Sequence, residues 1–215
     1  MRKSTALKVI GGLTYTSKMP CPSFSIPASA CRVGSMLATI GGTICRDCYA
    51  MKGRYIFENV QNAQKRRLDL LNYALANDAY RFHYVEAFKT LLSKEQWFRW
   101  HDSGDLQSAA HLGLIVEIAN ATPHVAHWLP TREIAAIRGF KTHGGEIPPN
   151  LTVRYSMATI GQKPVYMGLS TSTVHKSIAT IPAMSKVCEA RKTGGCADCR
   201  ACWDPAVTNV AYPWH

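Results

Sequence analysis

Apolar positions recur along this chain with two alternating periods. From Ile56 the period is helical, with Val60, Ala63, Leu68, Leu71, Ala74 and Leu75 on one stripe. Asp78 has the character of an N-cap for a second helix, with Phe82, Val85, Phe88 and Leu92 on one face. The run Trp97-Phe98-Arg99-Trp100-His101 then switches to strand character, dense in aromatic residues. Helical spacing returns over Ser108 to Ala121, where Leu112, Ile115, Val116 and Ala119 are in register. Strands are expected over residues 124–129, 151–157 and 165–170. Thr131 is expected to cap a short helix with Glu133 in its first turn.

Strand and helix alternating in this way predict βαβ units and a parallel sheet. The expected fold is α/β, a partial (β/α) barrel or curved parallel sheet with Cys-rich N-terminal loops and a Cys-rich C-terminal tail. One domain spans 1–215: a Cys-rich loop region over 1–55, a β/α core over 56–180, and a metal-binding tail over 181–215. Residues 1–55 read as mostly irregular, because Pro20, Pro22, Pro27 and the Gly41-Gly42 pair interrupt them. In parallel α/β sheets chemistry gathers at the carboxyl ends of the strands. Here those ends are Asp102 to Asp105, Pro130 to Glu133, Ser156 to Met157 and Ser170 to Thr173.

Composition narrows this picture. With 47% hydrophobic and 18% charged residues the chain can bury a core. It contains no apolar run long enough for a membrane span, and no apolar stretch follows the basic Met1-Arg2-Lys3-Ser4. A cytoplasmic location without membrane contact is the expectation. The net charge of +11 points to an anionic partner, a small anionic substrate or nucleic acid. Two four-thiolate [4Fe–4S] groups would lower that charge to roughly +7.

The eight cysteines carry the sharpest signal. Cys196, Cys199 and Cys202 stand at steps of three, with Cys188 upstream as the nearest further ligand. Three thiolates within seven residues suit a cube, in which each reaches a different iron. Tetrahedral zinc usually takes two separated pairs. Cys21, Cys31, Cys45 and Cys48 form the other group by sequence. The Cys45-x2-Cys48 pair alone also fits a zinc knuckle or a redox pair. The apolar content and the absence of a signal segment argue against a disulfide framework. The expected cofactors are one or two [4Fe–4S] clusters, with zinc or mononuclear iron open at one site.

The strand-end residues supply candidate chemistry. His101 and Asp102 pair an imidazole with a carboxylate, suited to metal binding, acid–base work or orienting a cluster. Alternation places Phe98, Trp100 and Asp102 on one side and Arg99 and His101 on the other. Asp105 reads equally as a site carboxylate or as the cap of the next helix. Arg132 is suited to hold an anionic group, with a surface salt bridge as the plain alternative. Lys65-Arg66-Arg67 reads as a solvated charge run or a phosphate contact. His127 reads as a packed strand histidine. His215 reads as free or packed, with tethering near the tail cysteines as the sharper alternative.

Several blocks resemble the phage gene-product-88 family. They are Cys45-Arg46-Asp47-Cys48-Tyr49-Ala50-Met51-Lys52-Gly53-Arg54-Tyr55, Phe98 to Leu106, Trp128 to Glu133, Cys196 to Trp203, and Tyr212-Pro213-Trp214-His215. That resemblance implies a phage-associated metalloprotein in the host cytoplasm, without a named reaction. A more distant likeness is to radical-SAM enzymes, in which Cys31, Cys45 and Cys48 would stand as the cluster ligands and S-adenosylmethionine as cofactor. The spacing departs from that pattern, since thirteen residues separate Cys31 from Cys45 where three are usual. Two functions follow as expectations. One is a redox or radical-type iron–sulfur enzyme on a small or nucleotide-like anionic substrate. The other is a non-enzymatic module that binds nucleic acid or a host protein, with structural metal sites.

Overall fold

The structure is a computed structural model and describes residues 1–214; His215 lies outside them. Seven strands form one sheet in which every pairing is parallel. They are β1 (Ser23–Phe24), β2 (Trp97–Trp100), β3 (Ala126–Thr131), β4 (Leu151–Ser156), β5 (Ser170–His175), β6 (Lys186–Val187) and β7 (Asn209–Pro213), in the order β1-β2-β3-β4-β5-β7-β6. The first five follow chain order, as in a barrel, but the sheet does not close. The curved parallel sheet expected from the sequence is therefore what the chain forms.

Strands taken in sequence and joined by crossovers of one hand place the connecting helices on one face. That is where the long helices lie. They are α3 (Glu58–Ala76) and α4 (Asp78–Leu92) between β1 and β2, α5 (Ala109–Ala121) after β2, and α6 (Ile134–Thr142) after β3. Phe24, Phe98 and Trp100 from the strands pack with Phe88 of α4 at ring separations of 4.9–6.0 Å. Leu129, Val153, Leu112, Ile115 and Ile118 continue that core. The opposite face presents Ser23, Arg99, Trp128, Thr152, Arg154 and Tyr212. The cysteine-bearing segments cover it instead of helices.

Several expectations change. Residues 1–55 hold two helices, α1 (Lys3–Ile10) and α2 (Arg32–Ala38), where irregular chain was expected. Ala6 and Ile10 of α1 are fully buried, one turn apart, and Gly11 ends the helix in the left-handed region. In α4 the buried face is Tyr84, Val85, Phe88, Leu91 and Leu92, whereas Phe82 is 63% exposed. The expected stripe was set one position off at its start. The cap of α4 is Asn77, whose side chain accepts from the Tyr80 N–H at 2.8 Å. The strand expected over 165–170 begins only at Ser170, and the chain between β4 and β5 crosses without a helix. The tail does more than fold back over the sheet, because it supplies β7, inserted between β5 and β6. Among the described residues no helix is long and apolar enough to cross a membrane.

Candidate metal centres

The eight cysteines are free thiols, and the fold divides them differently from their sequence order. Cys31, Cys45 and Cys48 lie together at the carboxyl edge of β2 and β3, where the charges of Cys45, Cys48 and Asp105 act on Cys31. Cys21 has left this group. Its nearest thiol influence is Cys196 of the tail, and it packs with Trp128 and Trp203 beside Cys202. Cys188, Cys196, Cys199 and Cys202 influence one another and complete the second group. Three thiols thus stand at the strand edge and five on the polar face.

The edge group rests on short elements. Cys31 caps the N-terminus of α2, while Cys45 and Cys48 bracket the first of three consecutive one-turn helices over residues 45–56. Gly34 makes room between the thiols. A Cβ there would sit 3.6 Å from the Cys31 sulfur and 3.7 Å from the Cys45 sulfur, and 2.9 Å from the Cys31 Cβ. Burial pushes the Cys31 thiol up to about 12, the charges of Asp105, Cys48 and Cys45 add to the rise, and Arg132 opposes it. Cys45 is raised for the same first reason. Without a cation these are inert thiols, and a metal would be needed to make them thiolates.

Asp105 ties the two strand ends together. One carboxylate oxygen accepts from the Leu106 N–H at 2.7 Å and the Thr131 hydroxyl at 2.6 Å, and the other accepts from the Arg132 N–H at 2.9 Å. Burial pushes this carboxyl up to about 6, while those donors and the Arg132 charge pull it down. It is not a helix cap: Ser108 caps α5, accepting from the His111 N–H at 3.1 Å. Thr131 is not a cap either; it ends β3, and its hydroxyl accepts from the Glu133 N–H at 3.0 Å. Glu133 in turn accepts from the Val33 N–H at 2.8 Å, a carboxylate held at the N-terminus of α2. Arg132 donates to the Met157 carbonyl at 3.4 Å, and its buried Nε has no partner.

His101 and Asp102 separate. His101 has φ of 53°, an unfavourable conformation for a residue with a Cβ, and this turns the strand out of its pleat. The alternation expected from the sequence therefore ends at Trp100. Asp102 falls on the Arg99 side, where it accepts from Ser23 Oγ at 2.7 Å and Tyr55 Oη at 3.0 Å. Its carbonyl accepts from Tyr49 Oη, which also receives an Arg99 guanidinium bond at 3.3 Å. Asp102 is thereby an anchor for the Cys45–Ile56 segment through two tyrosines. His101 turns instead toward α5, with its ring centroid 5.2 Å from that of His111 and neither nitrogen partnered. Burial, the neighbouring His111 and then Arg99 hold it well below the usual imidazole range.

The tail group leans on two arginines. Arg154, fully buried in β4, donates to the carbonyls of Thr171 and Val207 at 2.9 Å, Ala201 at 3.0 Å and Asp204 at 3.1 Å. Two of those carbonyls flank Cys202. Arg99 lies 4.7 Å above the Trp128 ring, and its charge reaches Cys21, Cys196 and Cys202. Burial works against the Arg99 charge, but Tyr49, Asp102 and Tyr212 outweigh it and hold the guanidinium firmly protonated. Cys202 and Tyr212 Oη are 3.2 Å apart, and Cys202 is pushed up to about 11 by burial. The Cys196 N–H donates to the Lys18 carbonyl at 3.0 Å, fastening the tail to the segment that precedes Cys21.

Sequence reasoning missed Arg154, Tyr49, Tyr55 and Gly34 as parts of these sites, and it placed Arg99 on the β2 alternation and Glu133 at the β3 end without giving either a role. An arginine inside an otherwise apolar parallel strand is the one signal that marked two of them. Arg67 also departs from expectation. It is buried, not solvated, and ties the loop before β1, through Gly12, Leu13 and Thr14, to Ser25 just after that strand. Among the described residues, no three His, Cys, Asp or Glu side chains close on one point as a single ion would require.

The family model described as Gene product 88 matches residues 2–205, nearly the whole chain. This chain belongs to that family of phage proteins. Comparison with curated proteins and with solved structures finds no match. The likeness to radical-SAM enzymes finds no support in these comparisons.

Proposed function

We propose that this phage protein is a two-centre iron–sulfur redox enzyme acting on a small anionic substrate. The observation that supports it is the unequal division of thiols, three at the strand edge beside Arg132 and five on the polar face. A four-iron cube held by Cys31, Cys45 and Cys48 lacks a fourth thiolate, so one iron is left for another ligand. Cys188, Cys196, Cys199 and Cys202 supply a complete set for the second centre, with Cys21 adjacent. The steps of three between Cys196, Cys199 and Cys202 favour a polynuclear group over a single zinc.

Such centres supply one-electron chemistry when bound. The chain's own residues do the rest. Arg132, positioned by Asp105 through its own backbone N–H, offers a guanidinium to an anionic group at the strand edge. Tyr49 and Tyr55, anchored on Asp102, hold the loop that bears Cys45 and Cys48 against the sheet. Arg99 places a fixed positive charge near the tail group and Arg132 near the edge group, which favours thiolate over thiol.

Anaerobic purification with iron, zinc and sulfide analysis and Mössbauer spectroscopy tests this reading. The expected protein is brown, contains acid-labile sulfide at several irons per chain, and shows two cluster populations. Cys31→Ser removes one of them. A colourless protein with stoichiometric zinc and no sulfide refutes the proposal. A second reading, a binding module with structural metal sites, is favoured by the net charge of +11. Four-thiolate closure at both centres would select it.

A further inference from the structure

The three one-turn helices that hold Cys45 and Cys48 have a second side. Tyr49 and Phe57 are 58% and 57% exposed, and Met51 and Ile56 are more than half exposed. Side chains of this size and apolarity, gathered within nine residues, mark an interaction surface. Between and beside them stand Arg46, Lys52 and Arg54, all exposed. The side chains of Arg46 and Arg54 form no ion pair among the described residues. The acidic residue within this stretch, Asp47, faces Lys52 at 3.4 Å.

A second segment borders the same edge. The Ile44 N–H donates to the Ala158 carbonyl at 2.9 Å, and the Ile160 N–H donates to the Gly42 carbonyl at 3.1 Å. These bonds bind the chain between β4 and β5 to the approach to Cys45. Where it leaves this edge that chain carries exposed Lys163. Basic and aromatic side chains therefore stand together on the segment that bears the edge thiols, and Lys163 adds a cation beside it.

We propose that this surface binds single-stranded nucleic acid. The cations would track a phosphate backbone, and Tyr49 and Phe57 would stack on unpaired bases. A duplex offers the same charge but keeps its base faces covered, so it would meet the cations and not the rings. An acidic protein partner would be held by charge alone and would leave the rings unused. The proposal is independent of the metal reading, because it requires no metal, and iron assayed on the same samples separates the two.

The test is fluorescence anisotropy on the full-length protein, using labelled single strands of roughly 20 nucleotides and a duplex of the same length. Oligo(dT) and oligo(U) are both used, and whichever binds tighter identifies the sugar. Single strands are expected to bind at least about tenfold tighter than duplex. Arg46→Glu with Arg54→Glu should weaken binding at least about tenfold and flatten the salt slope by about 1.4. Phe57→Ala should weaken it by roughly 5- to 100-fold with the salt slope unchanged. These residues are exposed, so circular dichroism should be unaltered. Lys89→Glu with Lys141→Glu, the same charge change on α4 and α6, should stay within about threefold. Equal affinity for duplex, no effect of Phe57→Ala, or an equal loss in the α4/α6 variant would each overturn the proposal.

Discussion

Phe98 and Arg99 are neighbours in β2, yet one is packed among rings and the other stands between thiols. The helix-backed face holds Phe24, Phe98, Trp100, Leu129 and Val153 with almost no polar atom. One polar exception, His127, is fully specified. Trp100 Nε1–H donates to His127 Nδ1 at 3.3 Å, so the proton is on Nε2, which donates to Thr122 Oγ1 at 2.9 Å. Thr122 passes its own proton to the Ile118 carbonyl at 2.7 Å. The opposite face has no helices to bury it. Arg154 and Thr152 build that layer by donating to carbonyls, Trp203 donates to the Phe98 carbonyl of β2, and Arg99 donates to Tyr49 Oη. The first face is held by area removed from water, the second by directed bonds to irregular chain. A layer of the second kind can present thiols, because its backbone need not be helical.

This difference is open to direct attack, and the largest effect is expected on the polar face. Arg154→Ala leaves four carbonyls of the β5 and tail segments without their donor and should cost about 3–5 kcal/mol. Chemical denaturation is the measurement. A loss below about 1 kcal/mol would show that the tail is held by its other contacts.

Acid should attack the helix-backed face. Burial pushes both His111 and His127 down to about 3. Each stays neutral in the fold but takes a proton when unfolded below about 6.5. Their stabilising contribution is therefore complete above that value and is lost as pH falls toward about 3. At pH 5 the loss is about 2 kcal/mol for each. Asp105 works in the opposite sense. Its carboxyl is raised to about 6, so its protonation recovers about 1 kcal/mol over the same interval. Denaturant titrations at pH 7 and pH 5 should show a net decline of at least about 3 kcal/mol, because buried His101, also held below the usual imidazole range, adds in the same sense. In His127→Asn that decline should shrink by about 2 kcal/mol. An unchanged decline in the variant would remove His127 from the account.

A smaller effect sharpens the contrast at the edge. Ser108→Ala removes the side-chain cap of α5 and should cost about 1 kcal/mol without touching metal content. Gly34→Ala should change stability by less than about 1 kcal/mol, since alanine favours the helix while its Cβ crowds Cys31. Its effect should appear instead in iron content, with the edge centre lost and the tail centre kept. Unchanged iron in Gly34→Ala would mean that the gap between Cys31 and Cys45 is not where a metal group sits.

By itself the sequence determined the class of fold, the family blocks and the places where polar residues meet strand ends. Period 3.6 and period 2 are local properties, so α3, α4, α5, β2, β3 and β4 were legible within a few residues. The clustering of Asp105, Thr131 and Arg132 followed from strand ends lying side by side in a parallel sheet. Three things only the tertiary structure decided. The left-handed turn at His101 sent Asp102 to the Arg99 side, and no pattern of apolar residues encodes a single φ. Cys21 joined the tail thiols because β1 pairs beside β2, bringing the segment before it under Trp203, 182 residues away in the chain. β7 entered the sheet between β5 and β6, a pairing set by long-range register that no window of sequence contains.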